Sequence, residues 1–438
     1  MAQLVARRQA RFEPGCGRRR RDGPCRRTCP MTAAHAVPTG VDMPEPIPLL
    51  VPCVPAPHEL LPWLERMHAA RHYSNFGPLV CELEATFATQ FQVAGAQVTT
   101  VANATLGLEL VLQALDLPAG SRILLPSFTF VATATAVLRA GHVPVLADVD
   151  ADSWMLTPDI ASAAHASMPV AAVVPVATFG MPHDMQAWQQ FEAQTGLPVV
   201  IDAAAAYGSQ WLHNGEGTLV FSLHTTKSMP AIEGGLVVSS RPGLTTKVRQ
   251  LSNFGINLEP TAGVPVGTLA GAGTNAKMSE YHAAVGLASL QQWERHAQDR
   301  KALQADLMQF LNQCSGHNLQ WQGDGTGGPL KAPTLLCPRL PSAHIRSQLE
   351  QICAQEKITV RRWYQPLLEH MPALHSRCLA LPTPVAHQLA DTLLGLPFFL
   401  GMTAAQRERV GNAVARVQWS RPAGRLTACV AHPVPLAA

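Results

Sequence analysis

Lys227 is the residue from which the possible chemistry of this sequence is best approached. It follows the apolar run 219–223 within LVFSLHTTKSMPAIEGG (219–235), among hydroxyl side chains, in a chain with only 14% charged residues. A lone lysine is more often a surface residue whose stem packs on apolar neighbours. Where phosphate, ring and carboxylate features converge, a lysine is better interpreted as forming a Schiff base with a carbonyl group.

A candidate phosphate site follows the strand-like segment VTTV (98–101). The next residues, Ala102, Asn103, Ala104 and Thr105, open a leucine-rich helical pattern. Small residues allow an anion to approach the backbone, and a helix N-terminus offers unpaired N–H groups and a favourable dipole. On this fragment alone, an Asn103 N-cap with no ligand is the preferred explanation.

A carboxylate and two aromatic side chains follow other strand-like segments. Asp202 ends PVVID and precedes four alanines, while Phe128 and Phe130 follow RILLP (122–126). A buried carboxylate needs a partner, which an arginine, a helix N-terminus or a protonated heterocycle nitrogen can supply. The alanines leave flat space that suits a ring, and an aromatic side chain can stack on such a ring.

Taken singly, each of these features has an ordinary explanation. Together they describe one ligand, with a phosphate, a flat ring, a basic ring nitrogen and a carbonyl that a lysine can condense with. Pyridoxal 5′-phosphate (PLP) has all four, so the sequence predicts PLP as the cofactor.

The elements that must position these residues alternate between short apolar strands and helical patterns at 104–117 and 128–140. Continuous apolar strands separated by helices indicate a largely parallel sheet covered on both faces. Ligands bind such sheets at the carboxyl ends of the strands, where the candidate residues lie. The predicted strands are 98–101, 122–126, 143–149, 170–177, 198–202, 219–223 and 234–240.

The chain is long enough for more than one domain. A long helical pattern at 278–311 leads into a region with fewer strands. We predict a PLP-binding domain with an N-terminal arm (46–292), a small α/β domain (293–420) and a frayed tail (421–438). The first 45 residues, with nine arginines within 1–30, indicate a disordered extension or a misassigned start codon at Met1 rather than Met31 or Met43.

Composition excludes several classes of protein. Outside the arginine-rich start the chain carries a small negative charge, which argues against a nucleic-acid partner. The longest apolar runs are far below the roughly 20 residues that span a bilayer, and no signal peptide is seen. The ten cysteines lack zinc-ligand spacing, so we predict free thiols in the cytoplasm and no metal site.

The sequence resembles the DegT/StrS-type nucleotide-sugar aminotransferases, a branch of the fold-type I PLP-dependent enzymes. The resemblance extends from about residue 73 to 410 and is most specific in five segments. They are VANATLGLELVLQAL (101–115), LLPSFTFVATATAVLRAGHVPVLADVD (124–150), FSLHTTKSMPAIEGG (221–235), SNFGIN (252–257) and GTNAKMSEYHAAVGL (273–287).

The resemblance implies a mostly parallel seven-stranded sheet with helices on both faces and a role for each candidate residue. Lys227 would form the Schiff base and shuttle protons, and Asp202 would pair with the pyridine nitrogen. Asn253 would reach the phosphate bound by a neighbouring subunit, which implies a homodimer with shared active sites. The other implied cofactor contacts are Ala104, Thr105 and Ser222 to the phosphate, and Phe130 and Ala204 to the two ring faces.

The sequence departs from the family pattern near the phenolic oxygen of the cofactor. Ala205 stands where many members have Gln or His, and Tyr207 stands where His is frequent. We therefore expect that hydrogen bond to be missing or to come from elsewhere, for example from His224.

By resemblance, the reaction is transfer of an amino group from L-glutamate to a keto-sugar on a nucleoside diphosphate, for deoxyamino-sugar or surface-polysaccharide biosynthesis. Two alternatives stay open. A PLP-dependent sugar dehydratase carries His in place of the lysine, so Lys227 argues against it. A non-catalytic PLP-binding regulator receives slight support from Ala205.

Overall fold

The apolar segments after residue 97 form a β-sheet, as their pattern predicts. The computed structural model describes residues 45–260, 263–323 and 331–419. Those residues contain eight strands: β1 (Val98–Val101), β2 (Arg122–Pro126), β3 (Val143–Ala147), β4 (Ala172–Val173), β5 (Ile201–Asp202), β6 (Thr218–Ser222), β7 (Gly235–Ser239) and β8 (Leu379–Ala380).

The strands pair in two four-stranded groups, β1-β7-β6-β5 and β4-β2-β3-β8. Parallel bridges between Val173 and Val199 and between Val176 and Asp202 connect the two groups. Pairing is parallel except where β7 meets β1 and β6. The predicted, mostly parallel sheet is therefore confirmed, but the predicted count of seven strands is not, because the short strand β8 also pairs with β3.

Two of the predicted strands are reduced to two residues each. The run 170–177 forms only β4, and 198–202 forms only β5. Pro175 and Pro198 lie in these runs and have no N–H to donate to a neighbouring strand. Their carbonyl groups still accept hydrogen bonds, from Asp202 and Val173 respectively, so the chain stays extended and carries Asp202 to the sheet's carboxyl edge.

Apolar side chains cover both faces of the sheet, because successive side chains of a strand point to opposite sides. Helices bury them on each face. On β6, Leu219 and Phe221 enter one apolar cluster with Leu83 of the second helix, while Val220 enters another with Leu108 of the third. The helices are α1 (Pro57–Ala70), α2 (Pro78–Phe91), α3 (Ala104–Ala114), α4 (Val131–Arg139), α5 (Pro158–Ser167), α6 (Met185–Thr195), α7 (Leu244–Ser252), α8 (Glu280–Cys314), α9 (Ala343–Gln355), α10 (Pro384–Thr392) and α11 (Ala404–Ala415).

Helix α4 begins three residues later than its helical pattern predicts. Phe130 is the N-cap, with extended backbone angles of φ −71° and ψ 149°. The segment after β2 therefore stays extended before the helix starts. This arrangement leaves Phe128 fully buried and Phe130 about half exposed.

The C-terminal part of the chain contributes most of a further apolar cluster, which Ile47 also joins. Leu307 of α8 packs there with Leu349 of α9, with Val414 of α11 and with Phe398. Helix α8 runs without a break through position 292, where we predict the domain boundary. The division into domains 46–292 and 293–420 remains a prediction, and the predicted extension (except Glu45) and tail lie outside the described residues.

Over the residues that the structure describes, no helix combines the length and apolar character needed to cross a bilayer.

Candidate active site

A cavity of about 680 Å³ lies where the candidate residues meet. Many of its lining residues come from the segments that follow β1, β2, β5 and β6, at the carboxyl edge that the topology predicts. The sequence-predicted residues that line it are Ala104, Thr105, Phe130, Asp202, Ala204, Ser222 and Lys227.

The N-terminus of α3 forms one wall of the cavity. Asn103 is its N-cap, and the Asn103 side chain accepts a hydrogen bond from the Leu106 amide at 2.9 Å. The amides of Ala104 and Thr105 precede the first intrahelical hydrogen bond and have no carbonyl one turn earlier in the helix. The N-cap interpretation and the phosphate-site interpretation are therefore compatible, because capping uses only the Leu106 amide.

Gly235, the second of the two glycines that follow the Lys227 loop, is required by close packing against α3. Strand β7 passes so close to the start of α3 that a Cβ atom at 235 would lie 2.6 to 2.8 Å from backbone atoms of Asn103 and Ala104. Only glycine fits such an approach without moving the backbone. Gly235 pairs with Ser222 on β6 and with Val101 on β1, so it holds these two strand ends at the helix N-terminus.

Asp202 is buried at the end of β5, and both of its carboxylate oxygens accept hydrogen bonds. Thr133 Oγ1 donates to Oδ2 at 2.8 Å, and the Ala204 amide donates to Oδ1 at 3.1 Å. Burial raises the pKa of Asp202, while these hydrogen bonds and the charge of Lys227 act in the opposite direction. A cationic partner inside the cavity would stabilise the ionised carboxylate.

Lys227 lies in a tight loop between β6 and β7. Its amide donates to the His224 carbonyl at 2.9 Å, and the Thr225 amide donates to Ile232 at 2.8 Å. Burial lowers the pKa of the Lys227 side chain, and the nearby Asp202 opposes part of this shift. A lowered pKa increases the fraction of neutral amine, which is the nucleophilic form.

Two apolar groups lie at positions that suit the faces of a flat ligand. Phe130 is half exposed and lines the cavity, whereas Phe128 packs edge-on against Phe179 and Tyr364. Of the two aromatic candidates, only Phe130 is therefore available to a ligand. Ala204 and Ala205 also line the cavity, and their small side chains leave room there.

Asn253 lies outside this cavity, at the C-terminal end of α7, where its backbone forms a bridge with Asn275. Nearby, Lys277 Nζ donates to Asn275 Oδ1 at 2.7 Å and lies 4.5 Å from the Phe254 ring centroid. The predicted contact of Asn253 with a neighbouring subunit remains a prediction.

Tyr207, which departs from the family pattern, and His224, the possible substitute donor, have different surroundings. Tyr207 is buried among aromatic rings and donates a hydrogen bond to Gln90, and burial raises its pKa. His224, in contrast, lines the cavity, with Nδ1 2.9 Å from Thr226 Oγ1 and Nε2 3.6 Å from a Glu233 oxygen. Of Tyr207 and His224, only His224 lines the cavity and is able to face a ligand.

Several site residues were missed in the sequence. Thr133 is the hydroxyl partner of Asp202, but threonine in a helix gave no signal. Arg361, Trp363 and Tyr364 line the cavity from the C-terminal region, more than 130 residues after Lys227. The cluster of basic and aromatic residues in RRWYQP was the available clue, and Arg361 lies 4.0 Å from the Trp363 ring.

The cavity fits PLP in each of its chemical parts. Free helix amides suit the phosphate, Phe130 and Ala204 suit a flat ring, and buried Asp202 suits a protonated ring nitrogen. Lys227 is the amine that condenses with an aldehyde.

Comparisons with known proteins agree with this fit. Residues 58–415 match the model of the DegT/DnrJ/EryC1/StrS aminotransferase family. The chain is 30% identical over 366 residues to the dTDP-4-amino-4,6-dideoxy-D-glucose transaminase of Escherichia coli, covering 81% of this chain and 94% of that protein.

Two solved structures share the fold. One is DesI in the presence of its TDP-sugar product, with 29% identity, a TM-score of 0.74 and coverage of 85% of this chain and 94% of that one. The other is DesV of S. venezuelae, with 25% identity, a TM-score of 0.71 and coverage of 84% and 98%. The chain therefore belongs to the DegT/DnrJ/EryC1/StrS aminotransferase family and is a PLP-dependent aminotransferase.

Proposed function

We propose that this enzyme moves an amino group from L-glutamate to a keto-sugar carried by a nucleoside diphosphate, for the synthesis of a deoxyamino sugar. The observation that carries the proposal is the convergence of Lys227, Asp202 and the free amides of α3 on one cavity. The E. coli relative, named for a dTDP-linked amino sugar, supports the class of acceptor.

PLP supplies an electron sink when it is bound. Asp202 favours protonation of the ring nitrogen by its negative charge, and Thr133 and the Ala204 amide hold its carboxylate in place. The α3 amides, Thr105 and Ser222 would hold the phosphate, and Phe130 and Ala204 would hold the ring between them.

Lys227 carries the proton transfers. With PLP bound, the Lys227 amine would be the base that takes the proton from the Cα atom of the amino donor, and the acid that gives it back. The donor would leave as a keto acid, and the keto-sugar would take up the amino group in the second half-reaction. Two half-reactions that share one cofactor produce ping-pong kinetics.

We also propose that the enzyme is a homodimer in the cytoplasm. Asn253 lies outside the cavity of its own chain, which is compatible with a contact to the phosphate of a neighbouring subunit. Nearby large apolar side chains at Phe254, Val266 and Leu269 are exposed, and a second copy of the chain would cover them.

The first test is spectroscopic. Purified protein incubated with PLP should be yellow, and excess L-glutamate should bleach the band as the cofactor takes up the amino group. A panel of nucleotide keto-sugars should then restore it, with one acceptor most effective. A colour that no amino donor changes would contradict the aminotransferase reaction and favour the regulatory alternative.

A further inference from the structure

A second group of chemically active side chains lies outside the catalytic cavity. Glu369, His370 and His387 each offer a ligand atom, and these three atoms all lie within 4.8 Å of one another. Glu369 and His370 belong to the short 3₁₀ turn Leu368–His370, and His387 belongs to α10. We call these three residues the Glu369 cluster.

The carboxylate of Glu369 is held in a defined orientation. Ser127 Oγ donates to Oε2, and Thr383 Oγ1 donates to Oε1 at 2.8 Å. Each carboxylate oxygen has two acceptor sites, so both keep one for another partner. Hydroxyl groups that orient a carboxylate in this way are typical of the outer shell of a metal site.

Two imidazoles converge on this one carboxylate. His387 Nε2 lies 3.6 Å from Glu369 Oε1, and the rings of His370 and His387 are 5.2 Å apart between centroids. Each imidazole can offer one ring-nitrogen lone pair to a cation, and the Glu369 carboxylate offers an oxygen beside them.

Asp148 anchors the helix that carries His387. Its carboxylate accepts hydrogen bonds from the Val385 and Ala386 amides at 3.0 and 2.8 Å, which holds the first turn of α10 in place.

We propose that the Glu369 cluster binds one divalent transition-metal ion. Two imidazoles and one carboxylate are a borderline ligand set that favours Zn²⁺ over Mg²⁺ or Ca²⁺, with water in the fourth position. Ligand atoms about 2.1 Å from zinc are separated by about 3.4 Å in a tetrahedron, so the exposed histidines need to move only about 1 Å.

A bound ion would tie the Leu368–His370 turn to α10 and, through Ser127, to the end of β2. The segment that contributes Arg361, Trp363 and Tyr364 to the catalytic cavity immediately precedes this turn. The ion would thus stabilise one wall of that cavity from outside. Glu369 and His370 are adjacent in the sequence, and His387 follows 17 positions after His370. This spacing matches no zinc motif, so the fold alone brings the three ligands together.

The test is a calorimetric titration of untagged, EDTA-treated and dialysed holoenzyme with ZnCl₂. We expect one site per chain with a dissociation constant in the micromolar range or below. The single variants His370→Gln and His387→Gln should each weaken binding by about tenfold or more, and the double variant should abolish it. His344→Gln, which changes an exposed histidine on α9, is the control and should bind zinc like the wild type.

A series of thermal-unfolding measurements distinguishes a variant that has lost the zinc site from one that fails to fold. Zn²⁺ should raise the melting temperature of the wild type and of His344→Gln, and leave that of the folded double variant unchanged. Equal zinc binding by the wild type and the double variant would overturn the proposal, since the ion would then be held by other groups, including the cofactor. If His344→Gln lost zinc binding to the same extent as the cluster variants, the proposal would be overturned as well. The cluster would then be a His–carboxylate pair.

Discussion

The hydroxyl of Thr133 donates a 2.8 Å hydrogen bond to the buried carboxylate of Asp202. Thr129 Oγ1 lies 3.2 Å from Thr133 Oγ1 and extends the chain of hydroxyls. One turn of α4 therefore fixes the carboxylate that, in our proposal, pairs with the ring nitrogen of PLP. Thr133 is a positioning residue, because it acts through Asp202 and is itself absent from the cavity lining.

The variant Thr133→Val should weaken PLP binding by about tenfold or more, because a hydrogen bond to a charged group contributes about 1.5–3 kcal/mol. Thr133→Ser keeps the hydroxyl and should bind PLP nearly as well as the wild type. An absorbance titration of the apoenzyme with PLP measures both. Equal affinities in Thr133→Val and the wild type would show that Asp202 does not need this donor.

Replacing Lys227 with alanine should lower transaminase activity by about 10³-fold or more, because the variant lacks the residue that moves the proton. Borohydride should trap the cofactor on a Lys227 peptide of the wild type and leave no such adduct in Lys227→Ala. Lys301→Ala, at an exposed position of α8, is the control and should keep both activity and labelling. A label on another lysine would contradict the assignment.

The variant Gly235→Ala should destabilise the protein by about 1–3 kcal/mol, because its Cβ would overlap backbone atoms at the start of α3. The displaced helix N-terminus should also weaken PLP binding. Gly95→Ala has open space around the added methyl group and should change neither property. Chemical denaturation and PLP titration of the two variants provide the comparison. Equal stability of the two would contradict the close approach.

Stability should fall as the pH is lowered from about 6.5 towards 4, in part because of His183. Burial lowers the pKa of His183 to about 4, while an unfolded histidine titrates near 6.5. In that window the unfolded chain binds a proton that the folded chain does not, so acid favours unfolding. The contribution of His183 to the free energy of unfolding is complete above pH 6.5 and decreases by about 2 kcal/mol between pH 7 and 4.5.

The variant His183→Asn should reduce this pH dependence. Asn retains an acceptor for Trp188 Nε1, which donates to His183 Nδ1 at 3.2 Å. Urea unfolding at pH 7 and 4.5 measures the difference, and His344→Asn is the exposed control. If His183→Asn lost as much stability on acidification as the wild type, the buried histidine would not be the cause.

The regular elements near the site were largely predictable. Strands β1 and β2 match their predicted bounds, and β6 and β7 lie within a residue of theirs, because each is a continuous apolar run that a covered sheet buries. The cavity lining also includes seven of the eight predicted cofactor contacts, all but Asn253. These contacts follow strands whose carboxyl ends meet at one edge, so their order along the chain predicts their proximity.

Site residues that do not directly follow a strand of the sheet were not predictable. Arg361 and Trp363 reach the cavity from a segment whose position depends on how the C-terminal region packs. The start of α4 was also misplaced, since helical periodicity does not show that Phe130 stays extended as the N-cap.

The sequence by itself determined the kind of chemistry, because Lys227, Asp202 and the α3 N-terminus are local features tied to strand ends. Only the tertiary structure decided which groups support them. Thr133 meets Asp202 across 69 positions, and Glu369 meets His387 across two elements. Such contacts depend on how the helices pack against the sheet. Side-chain type and spacing along the chain do not predict that packing.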